Sequence, residues 1–240
     1  PFDIGDVNLD YELTSRSQES LHVLMAACKS DKIANVKQAI QLAGKQPVII
    51  DVDAFALQNC YEINYQPRAG EIVALLNVGA ATMNINILNG TRSIFARDAS
   101  VGGSQYTGLL QKELGLSWEQ AEGVKRGVAL PDSIEPRPIQ PIIETVSDIL
   151  ALEVKKTFDF YRATAQENEA AIQKILLAGG GSKLPGLPDF LSKRFEIPVE
   201  VFDPFRQIEV DGRKFDPDYM REIVPEMAVA VGLALRGVEA

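Results

Sequence analysis

Three stretches of the 240-residue chain combine glycines with residues able to handle an anion. Residues 176–187, LLAGGGSKLPGL, end an apolar run in Gly179, Gly180 and Gly181, followed by Ser182 and Lys183. Residues 75–88, LLNVGAATMNINIL, place Asn77, Gly79, Ala80 and Thr82 at the end of a second run, with Asn84 opening the return. Residues 100–110, SVGGSQYTGLL, set Gly102 and Gly103 before a helix-like stretch. Small residues after a strand let backbone N–H groups turn toward phosphate oxygens, and a hydroxyl such as that of Thr82 adds a donor. N–H groups at a helix start face the same kind of ligand. The chemistry on offer is the cradling of a phosphate or nucleotide. Taken singly, a plain glycine hairpin and a plain loop-to-helix joint explain the second and third stretches equally well.

Other chemistries lack their parts. The glycine run is no P-loop, because Lys183 follows Ser182 with no Ser or Thr after it. Nor is it a dinucleotide turn, because Leu184 stands where the third glycine belongs. A Ser-His-Asp triad would need His22, the single histidine, which alternates into a strand and reads as structural or surface. A zinc site has no ligand set. Phe2–Asp6 (FDIGD) reads as a turn before a strand. The net charge of −9 argues against a nucleic-acid or anionic-membrane surface. No apolar run approaches the length of a spanning helix. Cys28 and Cys60 sit in apolar surroundings and read as buried thiols in a reducing compartment.

The elements that must position these residues follow from periodicity. Residues 7–13 alternate as a half-buried strand, and 21–28 form an apolar run suited to an inner strand. Ile33, Val36, Ile40 and Ala43 make one helical face, with Ser30 or Asp31 as start cap and Gly44 at the end. Residues 47–52 read as a short buried strand, and Asp53 caps a helix to about 64. Residues 71–78 predict a buried strand, and 83–96 a hairpin turning at Asn89-Gly90 in a type I′ turn. A helix covers 103–115. Residues 117–140 are mixed, with Pro131, Pro136, Pro138 and Pro141 marking a connection. Ile143, Val146, Leu150, Val154, Phe158 and Tyr161 stripe a long helix. A strand at 172–178, a helix at 187–195, a strand at 198–202 and a helix at 225–237 complete an α/β pattern. Glu153 and Lys156, three apart on the long helix, share a face and read by themselves as a solvated pair.

Four segments, in this order, resemble the actin and heat-shock-chaperone ATPases: LLNVGAATMNINIL, SVGGSQYTGLL, the Glu153–Lys156 pair with LLAGGGSKLPGL, and PEMAVAVGLALRG (225–237). Details such as VDVDAFAL, NVGAATMNINILNG, EVKKTFDFY and LAGGGSKLPGLPDFL resemble the PilM family of type IV pilus assembly proteins. The resemblance implies an actin-like (ribonuclease H-like) two-lobed ATPase fold with its first lobe incomplete. By the same resemblance the chain is expected to correspond to the C-terminal two-thirds of such a protein, without the first phosphate loop. Implied regions are a small 1C-like part (1–46), a remnant of 1A (47–68), 2A (69–116 and 172–224), helical 2B (117–171) and a C-terminal connecting helix (225–240).

The same resemblance implies ATP with Mg²⁺ as ligand. Asn77, Gly79, Ala80, Thr82, Asn84, Gly102 and Gly103 would face phosphates. Glu153, Lys156, Gly179, Gly180, Gly181, Ser182 and Lys183 would hold adenosine. Asp51, Asp53, Glu226, Ala228 and Gly232 would belong to the connecting motifs. Implied partners are the cytoplasmic N-terminal segment of PilN and the pilus motor ATPases, with a homo-oligomer left open and nucleic acid not expected. The expected place is the cytoplasm, peripheral to the bacterial inner membrane. Asn77 stands where many relatives have Asp, and a neutral amide adds no charge toward Mg²⁺. Efficient hydrolysis is therefore not expected. An active ATPase or sugar kinase, with Asp98 or Asp132 as base, and an FtsA-like division filament are the alternatives. The kinase reading lacks a recognisable motif, and the filament reading lacks a basic amphipathic C-terminal helix.

Overall fold

The computed structural model describes residues 3–16, 21–129, 139–164 and 171–237, apart from the side chains of Thr14, Ser15 and His22. The expectations for Asp132, Pro131, Pro136, Pro138 and the His22 side chain lie outside the described residues. The chain forms two units, Pro1–Val52 and Asp53–Ala240.

In the first unit a 3-10 turn at Ile4–Asp6 leads into strand β1 (Val7–Arg16), which pairs antiparallel with β2 (Leu21–Lys29); helix α1 (Ser30–Leu42) follows. The two strands make a sheet of their own. Among the described residues, the apolar run at 21–28 therefore has a single neighbouring strand rather than the two of an inner strand, and Tyr11 and Met25 are 74% and 65% exposed. An apolar run favours burial but does not supply the second strand that burial requires. Ser30 is the first residue of α1 rather than its cap, and its hydroxyl accepts from the Asn8 amide at 3.0 Å. Residues 47–52 form no strand, and Val48 is 86% exposed. Their β-branched side chains suit a strand, but they join neither sheet of the described residues. Both cysteines are free; Cys60 is buried and Cys28 partly exposed.

The second unit is built on a five-stranded mixed sheet of order β5-β4-β3-β6-β7. Strands β3 (Ile72–Val78), β4 (Met83–Asn89) and β5 (Arg92–Ala99) form an antiparallel meander, while β6 (Lys174–Ala178) and β7 (Val199–Val201) add on parallel to β3. The central strands are covered on both faces, which is why they read as continuous apolar runs. Ile72, Ala74, Leu76 and Val78 meet Leu150, Val154 and Phe158 of α5 (Gln140–Thr164) and Leu191 of α6 (Leu187–Phe195) in one cluster. Val73 and Leu75, one residue out of phase, join Leu57 and Tyr61 of α2 (Asp53–Tyr65) and Val231 of α8 (Ala228–Leu235) in another.

The β4–β5 turn differs from the expected one. Asn89 pairs with Arg92, so the loop residues are Gly90 and Thr91, and positive φ falls on Gly90 alone at 59°. That is the pattern of a type II′ turn. Asn89 instead accepts the Gly70 N–H at 2.9 Å. The stretch expected to be a mixed connection contains helix α4 (Trp118–Lys125), opened by a full capping box in which Ser117 and Gln120 satisfy each other's backbone N–H. It packs through Ala121 and Val124 on Leu110 and Leu114 of α3 (Gly103–Leu114). A short helix α7 (Pro217–Ile223), capped by Asp216, precedes a 3-10 turn at Val224–Glu226.

Helices α2 and α8 touch backbone to backbone. A Cβ on Gly232 would lie 1.7 Å from the Ala56 carbonyl oxygen. Gly232→Ala should therefore force the helices apart and destabilise the fold by about 2 kcal/mol or more. Gly108, on an exposed turn of α3 with nothing near its Cβ position, should show the opposite sign. Gly108→Ala is expected to stabilise by roughly 0.5–1 kcal/mol. Chemical denaturation of both variants checks the pair.

Candidate functional site

Parallel pairing carries the C-terminal ends of β3 and β6 to the same edge of the sheet, with Asn77 opposite Ala178. Beyond that edge the chain turns back into β4 on one side and on toward α6 on the other, and a crevice opens between the two turns. In sheets of this type ligands bind at such a place.

The first turn is tightly tied. Gly79 N–H donates to the Thr82 carbonyl at 2.9 Å. The sequence expects the first N–H groups of α3 to face an anion, but the first two are already bonded within the protein. Gly103 N–H donates to the Gly79 carbonyl at 2.9 Å and Ser104 N–H to the Ala80 carbonyl at 2.8 Å. Gly102 permits this approach, because a Cβ there would sit 2.6 Å from both carbonyl oxygens. Among the described residues, the N–H groups of Ala80 and Ala81 make no such bond and remain available to an anion.

The second turn follows β6. Gly179 adopts φ 83°, donates to the Pro225 carbonyl at 2.8 Å, and has no room for a Cβ, which would meet the Val78 carbonyl oxygen at 2.5 Å. Gly181 is closed off by the Val78 side chain. Gly180 is the open one of the three, its nearest neighbour being the Glu226 carboxylate at 3.8 Å. The Ser182 hydroxyl is buried and donates to the Gly179 carbonyl at 2.7 Å, which braces the turn from behind. Lys183 pairs with Glu226 at 2.8 Å.

Together these turns border a cleft of about 600 Å³, within the range of small-ligand sites. Asp53, Asn77, Gly79, Ala80, Gly103, Gly179, Gly180, Gly181, Lys183 and Glu226 line it. Thr82, Asn84, Gly102 and Ser182 do not; all four support the turns or strands behind. Asp51 belongs to the first unit, where it accepts the Val52 N–H at 2.8 Å. Ala228 and Gly232 pack in the α2–α8 crossing. Asp98, considered as a base, also lies off the cleft and accepts from the Asn84 amide at 2.7 Å.

The largest correction concerns the Glu–Lys pair. Glu153 and Lys156 do not line the cleft. Glu153 bonds Lys156 at 2.5 Å and Arg97 of β5 at 2.6 Å, and the Lys156 hydrogen bond, assisted by Arg97, holds its carboxyl below the ordinary carboxylate value. The pair that faces the cleft is Glu122 and Lys125 on α4, joined by Arg126 and by Trp118 one turn earlier. Lys125 Nζ donates to Glu122 at 2.6 Å and to the Thr107 hydroxyl at 3.0 Å, and Thr107 in turn donates to Glu122. Burial pushes the Glu122 carboxyl up. The hydrogen bonds from Lys125 and Thr107, with the charges of Lys125 and Arg126, outweigh that and leave it below its ordinary value. Both pairs have the same i, i+3 spacing, so spacing could not choose between them. The S-x-x-Q box at 117–120 was the signal that a helix lay here.

Among the described residues no group of three or more His, Cys, Asp or Glu is placed to hold a metal ion. Direct ligation of Mg²⁺ by protein groups alone does not fit this donor set; a cation arriving with phosphates, through its water shell, does. No helix of the described residues is long and apolar enough to cross a membrane.

Comparisons place these features in a family. A family model described as type IV pilus assembly protein PilM matches residues 1–238. A solved PilM–PilN type IV pilus biogenesis complex superposes with a TM-score of 0.85 at 30% identity, over 100% of this chain and 69% of that one. The ethanolamine utilization protein EutJ of Carboxydothermus hydrogenoformans gives a TM-score of 0.57 at 19% identity, over 82% of this chain and 59% of its own. MreB5 of Spiroplasma citri, bound to AMPPNP, gives 0.62 at 13% identity, over 88% and 66%. The last two share the actin-like fold.

The Glu122 cluster gives stability a defined pH dependence. A carboxyl whose folded value is lowered contributes stability that is present above its unfolded value and lost as pH falls through the folded one. Glu122→Gln should therefore destabilise near neutrality, and the gap to wild type should close between about pH 5 and pH 3. Urea titrations across that range measure it.

Proposed function

The chain belongs to the type IV pilus assembly protein PilM family, and on that premise we propose that it is a nucleotide-binding scaffold of the pilus inner-membrane platform. The observation that carries this reading is the cleft, where Glu122 and Lys125 share one cavity with the open backbone at Gly180 and with the phosphate turn at Gly79–Ala80. ATP fits it with the base and ribose beside α4 and Gly180, and the phosphates toward Ala80 and Asn77. The role that family resemblance gives to a helical Glu–Lys pair passes to Glu122 and Lys125. The similar MreB5 structure holds AMPPNP, which supports a nucleotide as ligand class.

Turnover is expected to be slow, because the strand-end position at the phosphate turn carries the amide of Asn77 rather than a carboxylate. ATP then serves as a ligand that orders the cleft. Such a protein would work beside the inner membrane and support twitching motility. The subdomain assignment implied by resemblance, with 1–46 as a 1C-like part, goes with this reading. The sugar-kinase alternative with Asp98 as base loses support, since Asp98 lies off the cleft and is engaged by Asn84.

Isothermal titration with Mg·ATP checks the site. Lys125→Ala should weaken binding by about tenfold or more, the size of a lost charge-assisted hydrogen bond, whereas Lys156→Ala should leave it unchanged. Gly180→Val should block binding while the thermal transition persists. Equal effects of the two lysine variants would remove α4 from the site.

The partner proposed is the N-terminal cytoplasmic segment of PilN, as in the similar PilM–PilN complex. Its peptide should slow hydrogen exchange of amides within residues 1–50. No protection there would overturn the assignment of the first unit to PilN binding.

A further inference from the structure

We propose that Asp98 is a positioning residue for the phosphate end of the cleft, fixing which atom of Asn77 faces the ligand; the inference rests on the nucleotide reading above. Asn77, Asn84 and Asp98 form one cross-strand row over β3, β4 and β5. The Asn77 amide nitrogen donates to Asn84 Oδ1 at 2.9 Å, and the Asn84 amide nitrogen donates to the Asp98 carboxylate at 2.7 Å.

The sense of this relay is dictated from its far end. An ionised carboxylate only accepts hydrogen bonds. Asn84 must turn its NH₂ toward Asp98, which leaves its carbonyl oxygen for Asn77. Asn77 must then turn its own NH₂ toward Asn84. The atom left on the opposite side is Asn77 Oδ1, which lies against Gly179, 2.6 Å from the position a Cβ would take there. Among the described residues no donor reaches that oxygen. Without the carboxylate, two paired amides could run in either direction.

The orientation has a chemical consequence. A carbonyl oxygen repels a bare phosphate oxygen but accepts from water. Mg²⁺ keeps several of its waters when it travels with phosphates, and those waters are donors of the kind Asn77 Oδ1 needs. A chain of hydrogen bonds ending in a charge also polarises its members in the direction that makes this oxygen a better acceptor. The relay thus favours the metal-bound form of the nucleotide over the free polyphosphate, although no carboxylate of the row reaches the cleft.

Asp98→Asn tests this with little change of shape at an exposed position. The new amide can donate to Asn84, which allows both asparagines to flip, so that Asn84 donates to Asn77 and Asn77 presents its NH₂ to the cleft. ATP affinity of the whole chain is measured with Mg²⁺ and with EDTA. Wild type should bind about tenfold tighter with Mg²⁺, the effect of one charge-assisted hydrogen bond. In Asp98→Asn that ratio should fall close to one with EDTA affinity kept. A purely structural role would weaken both affinities alike, and an unchanged ratio overturns the proposal. The Asn77 side-chain amide, followed by NMR without nucleotide, reads the relay independently. Its resonances should be hydrogen-bonded in wild type and shifted in the variant; identical resonances overturn the relay whatever ATP does. Wild-type protein with the hydrogen-bonded amide but no ATP binding would overturn the nucleotide reading and the metal preference with it, leaving only the geometry.

Discussion

The parallel pairing of β3 with β6 is the constraint on which the rest of the second unit depends. It sets Asn77 beside Ala178 and so brings two strand ends, far apart in sequence, to one edge. Each strand is buried on both faces, so a slip of one residue would hand each covering layer the side chains that fit the other. Once the register is set, the turns that follow must leave the edge within touching distance. That is why Gly179 and Gly181 crowd Val78, and why Gly102 brings α3 against the Gly79–Ala80 turn. The glycines are not spare flexibility; Gly102 and Gly179 are contact points between backbones, and Gly181 makes room for the Val78 side chain.

The charges at the cleft are arranged in a similarly economical way. Lys125 is held by Glu122 and Thr107, and Lys183 by Glu226. Each cation is pre-positioned by an acid that also lines the cleft, so little side-chain ordering remains when a ligand enters. The Glu122 group sits on α4, a short helix whose start is locked by its capping box and whose back is buried against α3. A rigid short helix is a precise place for such a pair.

Much of this was legible in residue order. The apolar run at 71–78 announced a buried strand and that at 172–178 another strand, and the 4, 4, 4, 3 stripe from Val146 to Tyr161 announced the long helix that covers them. The glycine turns were recognisable because few other residues can follow a buried strand so closely. Where the reading went wrong, a partner was missing from the information. The run at 47–52 has strand-like side chains, yet a strand exists only against another backbone. The 21–28 run has the apolarity of an inner strand but one neighbour. Asn89-Gly90 is a good turn dipeptide, but cross-strand register moved the turn by one residue.

The sequence by itself determined the α/β class and the positions of both glycine turns, because these rest on local patterns whose physics is carried by the residues themselves; the family and its actin-like fold were legible through the resemblance of its motifs. Tertiary structure alone decided which Glu–Lys pair meets the cleft. Glu122–Lys125 and Glu153–Lys156 have the same spacing and the same internal ion pair, and differ only in which helix is packed beside the two strand ends. It also decided the facing atom of Asn77, since the direction of an amide is set by what its partner's partner can accept, here a carboxylate two strands away.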